Sequence, residues 1–204
     1  AGYNVTTPQQ AWVYWNTLQH QRTAGAVFEI AMEHVRRAVE RAKARTGQDI
    51  DVISFAELKS KLAYSLPKQD ASLNFPEQSR LATRALIESL GITRPTVVMG
   101  FGSIPYSAVS LRDESLRATV SEAVQPFGLG SVNYFAGISD MSFFGEASGD
   151  LSVVASNTPI WGTSFTLAEP AGYPCINIGP WGRDYHHWLE RLHAPYAFET
   201  LPKV

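Results

Sequence analysis

A short β-branched run leads directly into a capped helix start, and this junction constrains the fold more than any other feature of the chain. Val52 and Ile53 form a strand candidate, and Ser54-Phe55-Ala56-Glu57 has the serine-to-glutamate spacing of a capping box. A second strand candidate, Thr96-Val97-Val98-Met99-Gly100-Phe101, follows a helical pattern. Strands that alternate with helices across short loops are typical of α/β proteins. The sequence therefore predicts an α/β fold.

Cap residues predict four further helices. Thr7-Pro8-Gln9-Gln10 would open the first, Thr23 the second, Asn74-Phe75-Pro76-Glu77 the third, and Asp113 a fourth that runs to about Gln125. Gly47 and Gly91 are the predicted ends of the second and third helices. The apolar faces expected on the first three helices are Ala11, Trp12, Trp15 and Leu18; Val27, Ile30, Ala31, Val35, Ala38 and Ala42; and Leu81, Ala85, Ile87 and Leu90.

Short strands and loops dominate the second half of the chain. We predict strands at 132–135 and at 175–178, the latter ending at Gly179-Pro180-Trp181-Gly182, and a helix from Trp188 to about Arg191. Because the first half is rich in helices and the second is not, we place a domain boundary near residue 108. The predicted domains are residues 1–107 and 108–204.

Composition excludes several classes of protein. The formal net charge of −2, from 17 basic and 19 acidic residues, lacks the basic excess of a nucleic-acid-binding protein. Cys175 is the only cysteine, so no internal disulfide forms, and no apolar run approaches the roughly 18 residues of a membrane span. The first residues do not resemble a signal peptide. We expect a cytoplasmic protein, and the start without Met close to a helix cap suggests a cut inside a longer one.

Three of the five histidines lie between residues 186 and 193, beside two carboxylates. His186 and Glu190 would share one helix face, and Asp184 could orient an imidazole as carboxylates do beside metal-bound histidines. The cluster follows a predicted strand, where α/β proteins bind ligands. A structural interpretation stays open, in which Asp184 caps a helix, Glu190 pairs with Arg191 or Arg183, and His187 and His193 are surface residues.

A metal held by this cluster alone is not expected. A catalytic zinc requires about three protein ligands and an open position. The chain contains no H-E-x-x-H, no H-x-D, no paired Cys and no Glu-Glu pair. Most ligands of any metal would therefore lie elsewhere.

A second candidate site is the turn Gly137-Ile138-Ser139-Asp140. Its main-chain N–H groups and hydroxyl suit a substrate carboxylate. Alternatively, Ser139 or Asp140 caps a helix that begins at Met141. The turn does not complete the G-x-S-x-G motif of a nucleophilic serine. Cys175, in an apolar strand candidate, is expected to be inert.

These two candidate sites, the Gly137–Asp140 turn followed by the cluster around His186 and Glu190, resemble the C-terminal end of family twenty of the metallopeptidases. That family includes acetylornithine deacetylase, succinyl-diaminopimelate desuccinylase and carboxypeptidase G. The run from Pro174 through His186 to Glu190-Arg191 is similar to the ending of the RocB-like, arginine-utilisation subgroup. Asn157-Thr158-Pro159-Ile160-Trp161-Gly162 and Thr7-Pro8-x-x-Ala11-Trp12 are also similar. The resemblance is most specific over residues 133–202.

The resemblance implies a zinc exopeptidase-like fold: part of a mainly parallel sheet flanked by helices, with part of a small α/β lid domain. Residues 1–107 would belong to the lid, which often dimerises in this family, and residues 108–204 to the catalytic domain.

Within that fold, the resemblance implies two zinc ions in the whole protein, with His186 as the one metal ligand from this chain. Asp184 and Glu190 would support that ligand, and Ser139, Asp140 and Asn157 would bind substrate. Ile138 and Ser139 depart from the family's Gly and Thr. The implied function is that of a zinc-dependent amidohydrolase, a peptidase or N-acyl amino acid deacylase, inactive as this chain alone. The alternative is a non-catalytic dimerisation or binding module with that fold. The expected partners are a small-molecule or peptide substrate and a second copy, not nucleic acid or membrane.

Overall fold

The computed structural model describes residues 9–18, 22–61, 70–103, 106, 111–132, 151–166 and 172–204. The chain divides into two compact units: Ala1–Pro105 with Gly149–Ala168, and Tyr106–Ser148 with Glu169–Val204. Both helices and strands occur, and helix predominates. Within the described residues, no helix has the length and apolar character that a membrane span requires.

The first unit contains most of the regular structure. Its elements, in chain order, are α1 (Ala24–Thr46), β1 (Asp51–Ser54), α2 (Phe55–Ser60), α3 (Phe75–Ser89), β2 (Thr96–Met99) and α5 (Ser152–Asn157). The second unit contains α4 (Glu114–Val124), a 3₁₀ turn (Gln125–Phe127), β3 (Gly182–Arg183), β4 (Arg191–Leu192), a π-helical turn (Tyr196–Thr200) and a final 3₁₀ turn (Leu201–Lys203).

The predicted parallel arrangement is confirmed for one pair of strands. β1 and β2 are parallel, with Asp51 opposite Thr96 and Ser54 opposite Met99. A larger parallel sheet, as the resemblance implies, is not present in the described ranges, where the second sheet is the two-residue antiparallel pair β3–β4. The observed class is therefore mixed α and β with a small parallel sheet.

The predicted helix starts at four caps are confirmed. The Thr23 hydroxyl accepts from the N–H of Ala26, the Asn74 amide from that of Glu77, and the Asp113 carboxylate from that of Leu116. Ser54 and Glu57 form the complete capping box. Each bond satisfies an N–H that the first helical turn leaves without an internal acceptor.

The predicted helix ends are also found. Gly47 follows α1 with φ +67°, and Gly91 lies just beyond α3 with φ +61°. This left-handed conformation costs glycine little and other residues more.

The core of the first unit lies between α2, α3 and the segment after α5. Its five fully buried side chains are Phe55, Leu58, Ala82, Leu86 and Ile160. Partly buried Ile53 and Val98, from the two parallel strands, pack against this cluster. The helices therefore cover the sheet as the α/β pattern predicts.

The predicted inward face of α3 is confirmed in part, because Ile87 and Leu90 are partly buried against the core. The fully buried residues of α1 and α3 are others. α1 buries Phe28, Met32 and Val39, and α3 buries Gln78, Ser79, Ala82, Thr83 and Leu86. Both helices have apolar residues on more than one face, so periodicity alone does not decide which face packs inward.

Three other predicted elements were wrong. Residues 9–18 are not helical, and Trp12, Trp15 and Leu18 are exposed; a short helix without a packed apolar face has little stability in water. Residues 175–178 are not a strand, and Ile176 and Ile178 are exposed rather than buried. Residues 188–191 form turns and the start of β4 instead of a helix. The predicted strand at 132–135 lies almost entirely outside the described residues.

Candidate functional site

The cluster of histidines lies on a β-hairpin in the second unit. β3 and β4 pair with Gly182 opposite Leu192 and Arg183 opposite Arg191. The connecting loop, residues 184–190, carries Asp184, His186 and Glu190. His186 is exposed to solvent in this loop, so an ion could reach its imidazole.

Three side chains form hydrogen bonds within the hairpin and stabilise its loop. Asp184 Oδ2 accepts a hydrogen bond of 2.8 Å from Arg191 Nη2. Glu190 Oε2 accepts one of 3.2 Å from the main-chain N–H of His186. The Tyr185 hydroxyl accepts one of 2.9 Å from the N–H of Gly182. These bonds fix the main chain around His186 from both strands of the hairpin.

The backbone is unusual at two positions in the loop. Asp184 and His186 both have φ of +58°. Asp and His enter this left-handed region more often than most residues do, but such conformations still cost about 1–3 kcal/mol and concentrate at functional sites. The loop bonds described above hold the main chain in this conformation.

The roles predicted for the two carboxylates stay predictions. Asp184 pairs with Arg191 and Glu190 with a main-chain N–H, so among the hydrogen bonds of the described residues neither carboxylate contacts the His186 ring. The structural interpretation predicted that Glu190 pairs with Arg191. In the structure, Asp184 makes this ion pair instead. No helix begins at Asp184, so that residue is not a helix cap.

The other two histidines of the cluster have structural contacts. The His193 ring lies 4.6 Å from the Trp181 ring, and its Nδ1 accepts from the N–H of Tyr196 at 3.3 Å. His187 Nδ1 accepts from the N–H of Leu189 at 3.3 Å. Across the described ranges, no three His, Cys, Asp or Glu side chains come together in a group that could hold a metal ion. Zinc bound by the described residues alone therefore does not fit this structure.

Asn157, predicted to bind substrate, lies in the first unit beyond the carboxyl ends of β1 and β2. Its Oδ1 accepts from the N–H of Ala56 at 3.0 Å, and its Nδ2 donates to the carbonyl of Val153 at 3.0 Å. Its carbonyl accepts from the N–H of Phe101 at 2.9 Å. Only 5% of the residue is exposed. The amide holds this edge of the sheet together, and its role toward a substrate stays a prediction.

The other predicted site residues are less informative. Ser139 and Asp140 lie outside the described residues, as does the whole Gly137–Asp140 turn. Cys175 is half-buried and forms no disulfide.

Sequence reasoning missed a shallow groove on the first unit. Its volume is about 320 Å³, and it lies between α1 and the extended segment that carries Trp15. Val27, Ile30, Val35 and His34 line it. The signal was present in the sequence, since Val27, Ile30 and Val35 belong to the apolar face predicted for this helix, which lies beside the buried Phe28.

Comparison with known proteins places the chain among distant relatives. No family model matches it, and neither does any solved structure. The uncharacterized protein YqjN of Bacillus subtilis (strain 168) is 27% identical over 99% of this chain and 44% of its own length. Protein RocB of the same organism is 26% identical over 98% of this chain and 43% of its own length. The chain, which spans less than half of these curated relatives, is distantly homologous to both over nearly its whole length.

Proposed function

We propose that this chain forms the C-terminal part of a zinc-dependent amidohydrolase, a peptidase or N-acyl amino acid deacylase that acts in the cytoplasm as a homodimer. The supporting observation is the distant homology to RocB across 98% of the chain, together with the ending around His186 that resembles the RocB-like subgroup. Residues 1–107 would belong to its lid and residues 108–204 to its catalytic domain.

His186 is the metal ligand that this chain would contribute. Its imidazole is exposed on a loop that internal hydrogen bonds fix, at a position with φ of +58°. A ligand on a main chain that is already fixed loses less conformational freedom on binding. Asp184 and Glu190 would act by holding the loop, and Ser139, Asp140 and Asn157 would contact substrate.

The chain alone should not be a zinc enzyme, because its described residues present no three-ligand group and a catalytic zinc requires about three. Calorimetric titration of the chain with zinc should show no stoichiometric binding tighter than about 1 μM. Tight stoichiometric binding would contradict the assignment of the remaining ligands to other polypeptide.

The experiment that tests the function uses the longer protein that this proposal requires. We expect it to retain zinc after dialysis and to hydrolyse acylated amino acids or short peptides. His186→Ala should lower the retained zinc from two ions per chain to about one, because the ion that His186 binds loses a ligand. His34→Ala, on the exposed side of α1, is the matched control. Equal zinc content in the two variants would refute the role of His186.

A non-catalytic dimerisation or binding module with the same fold is the alternative. The coding sequence upstream distinguishes the two proposals. Motifs of the H-x-D and Glu-Glu types there would support the hydrolase, and their absence would support the module.

A further inference from the structure

The hairpin exposes far more apolar surface than its size would suggest. Trp188 is 85% exposed, Tyr185 60% and Trp181 54%, and Leu189 and Leu192 are each 47% exposed. We call these five side chains the hairpin apolar surface. Scattered apolar side chains on a protein surface are normal, but several large ones within a short segment mark an interaction site.

Charge indicates what kind of partner this surface fits. Residues 181–193 contain two arginines, one aspartate and one glutamate, so their formal charge is zero with neutral histidines. One arginine, Arg191, is already paired with Asp184. A nucleic acid or an anionic lipid surface would require an excess of basic groups. Tryptophan and tyrosine, by contrast, dominate the centres of interfaces between polypeptides.

The hairpin is also preformed. Strand pairing, the Asp184–Arg191 bond, the Glu190 bond to the His186 N–H and the Tyr185 bond to Gly182 fix its main chain without a partner. A surface that is already ordered loses little entropy on binding. This property is typical of a docking element that meets a folded partner.

We propose that the hairpin apolar surface docks against polypeptide equivalent to the part of YqjN and RocB that this chain does not span. The argument for this occupant is length, since the chain aligns over 98–99% of itself but over 43–44% of the relatives. More than half of each relative therefore has no counterpart here. The inference rests on the proposed function, which assigns the remaining metal ligands to that polypeptide, and it adds the surface through which the two parts meet.

The test uses the unspanned part of YqjN, produced as a separate polypeptide, and hydrogen–deuterium exchange read by mass spectrometry. On mixing, amides of residues 181–193 in this chain should exchange at least about tenfold more slowly. Helix α4, which exposes no large apolar side chain, serves as the internal control, and its amides should not change. The portion of YqjN that matches this chain is the positive control for a competent partner.

Two variants complete the design. Trp188→Ser should weaken the association at least about tenfold, as removal of a central aromatic residue does. Val132→Ser, at an isolated position that is 76% exposed, should leave it unchanged. Circular dichroism checks that both variants fold. No protection of 181–193 while the YqjN portion binds, or equal binding by Trp188→Ser, would overturn the proposal. Protection in the chain alone that rises with its concentration would also overturn it, because a second copy would then be the occupant.

Discussion

Asn157 Oδ1 accepts a hydrogen bond of 3.0 Å from the main-chain N–H of Ala56, which lies 101 residues earlier in the sequence. Ala56 is in the first turn of α2, where an N–H has no acceptor within the helix. The same amide donates to the carbonyl of Val153 within α5. One side chain thus ties the end of α5 to the start of α2, beyond the ends of the parallel strands.

Replacing Asn157 by alanine should lower the free energy of unfolding by about 1–3 kcal/mol, because the half-buried N–H of Ala56 loses its acceptor. Urea unfolding followed by circular dichroism measures the change. Ser89→Ala, at the exposed end of α3, is the control and should stay within about 0.5 kcal/mol. An Asn157→Ala protein as stable as this control would show that the contact between α5 and α2 carries no stability.

Gly100→Ala should destabilise the first unit by about 1–3 kcal/mol or more. A Cβ at this position would lie 2.8 Å from the carbonyl oxygen of Asn157 and 3.2 Å from the Cβ of Phe55. The oxygen belongs to the main chain, so it cannot move aside as a side chain could. Gly102→Ala is the matched control, since no heavy atom of the described residues lies within 4 Å of its added Cβ. Thermal unfolding of the two variants should therefore differ, and coincident midpoints would contradict the close approach.

Ser79→Ala should stabilise the chain by about 1 kcal/mol. The Ser79 hydroxyl is fully buried in α3, and among the described residues it alone is a buried side-chain polar group without a hydrogen-bond partner. Such a group loses its contact with water and gains nothing in return. Thr158→Val is the contrasting variant, because that equally buried hydroxyl donates to the carbonyl of Val154 at 2.7 Å. In chemical denaturation, the free energy of unfolding should rise for Ser79→Ala and fall for Thr158→Val. A loss of stability in Ser79→Ala would reveal a partner for its hydroxyl.

The capping box of α2 should make stability depend on pH. The N–H of Ser54 donates to the carboxylate of Glu57 and, with the Ser54 side chain, lowers the pKa of that group from its ordinary value of 4.5. A carboxyl group with a lowered folded-state pKa contributes stability that is present above the unfolded value and lost as pH falls through the folded value.

The difference in unfolding free energy between the unmodified chain and Glu57→Gln should therefore be largest above about pH 5 and shrink as pH falls below 4.5. Urea titrations at intervals from pH 7 to pH 3 would measure it. A difference that stays constant over this range would show that the Glu57 carboxylate does not stabilise the helix start.

The hairpin illustrates how far the sequence predicts the candidate site. The grouping of Asp184, His186 and Glu190 was evident from their positions in the chain. Their arrangement was not, because four-residue spacing suggested a helix where the chain turns back on itself. The decisive contacts are the pairing of Gly182 with Leu192 and the bond of Asp184 to Arg191. Neither produces a periodic pattern that sequence analysis detects.

The sequence by itself determined where four of the helices begin and where two of them end. The caps at Thr23, Ser54, Asn74 and Asp113 accept hydrogen bonds from N–H groups only a few residues away. Because these interactions are local, the sequence alone predicts them. Tertiary structure alone decided that α1 buries Phe28 rather than Val27, and that residues 9–18 do not form a helix. Burial depends on packing against segments that are distant in the sequence, and the local pattern of a helix does not specify which segments those are.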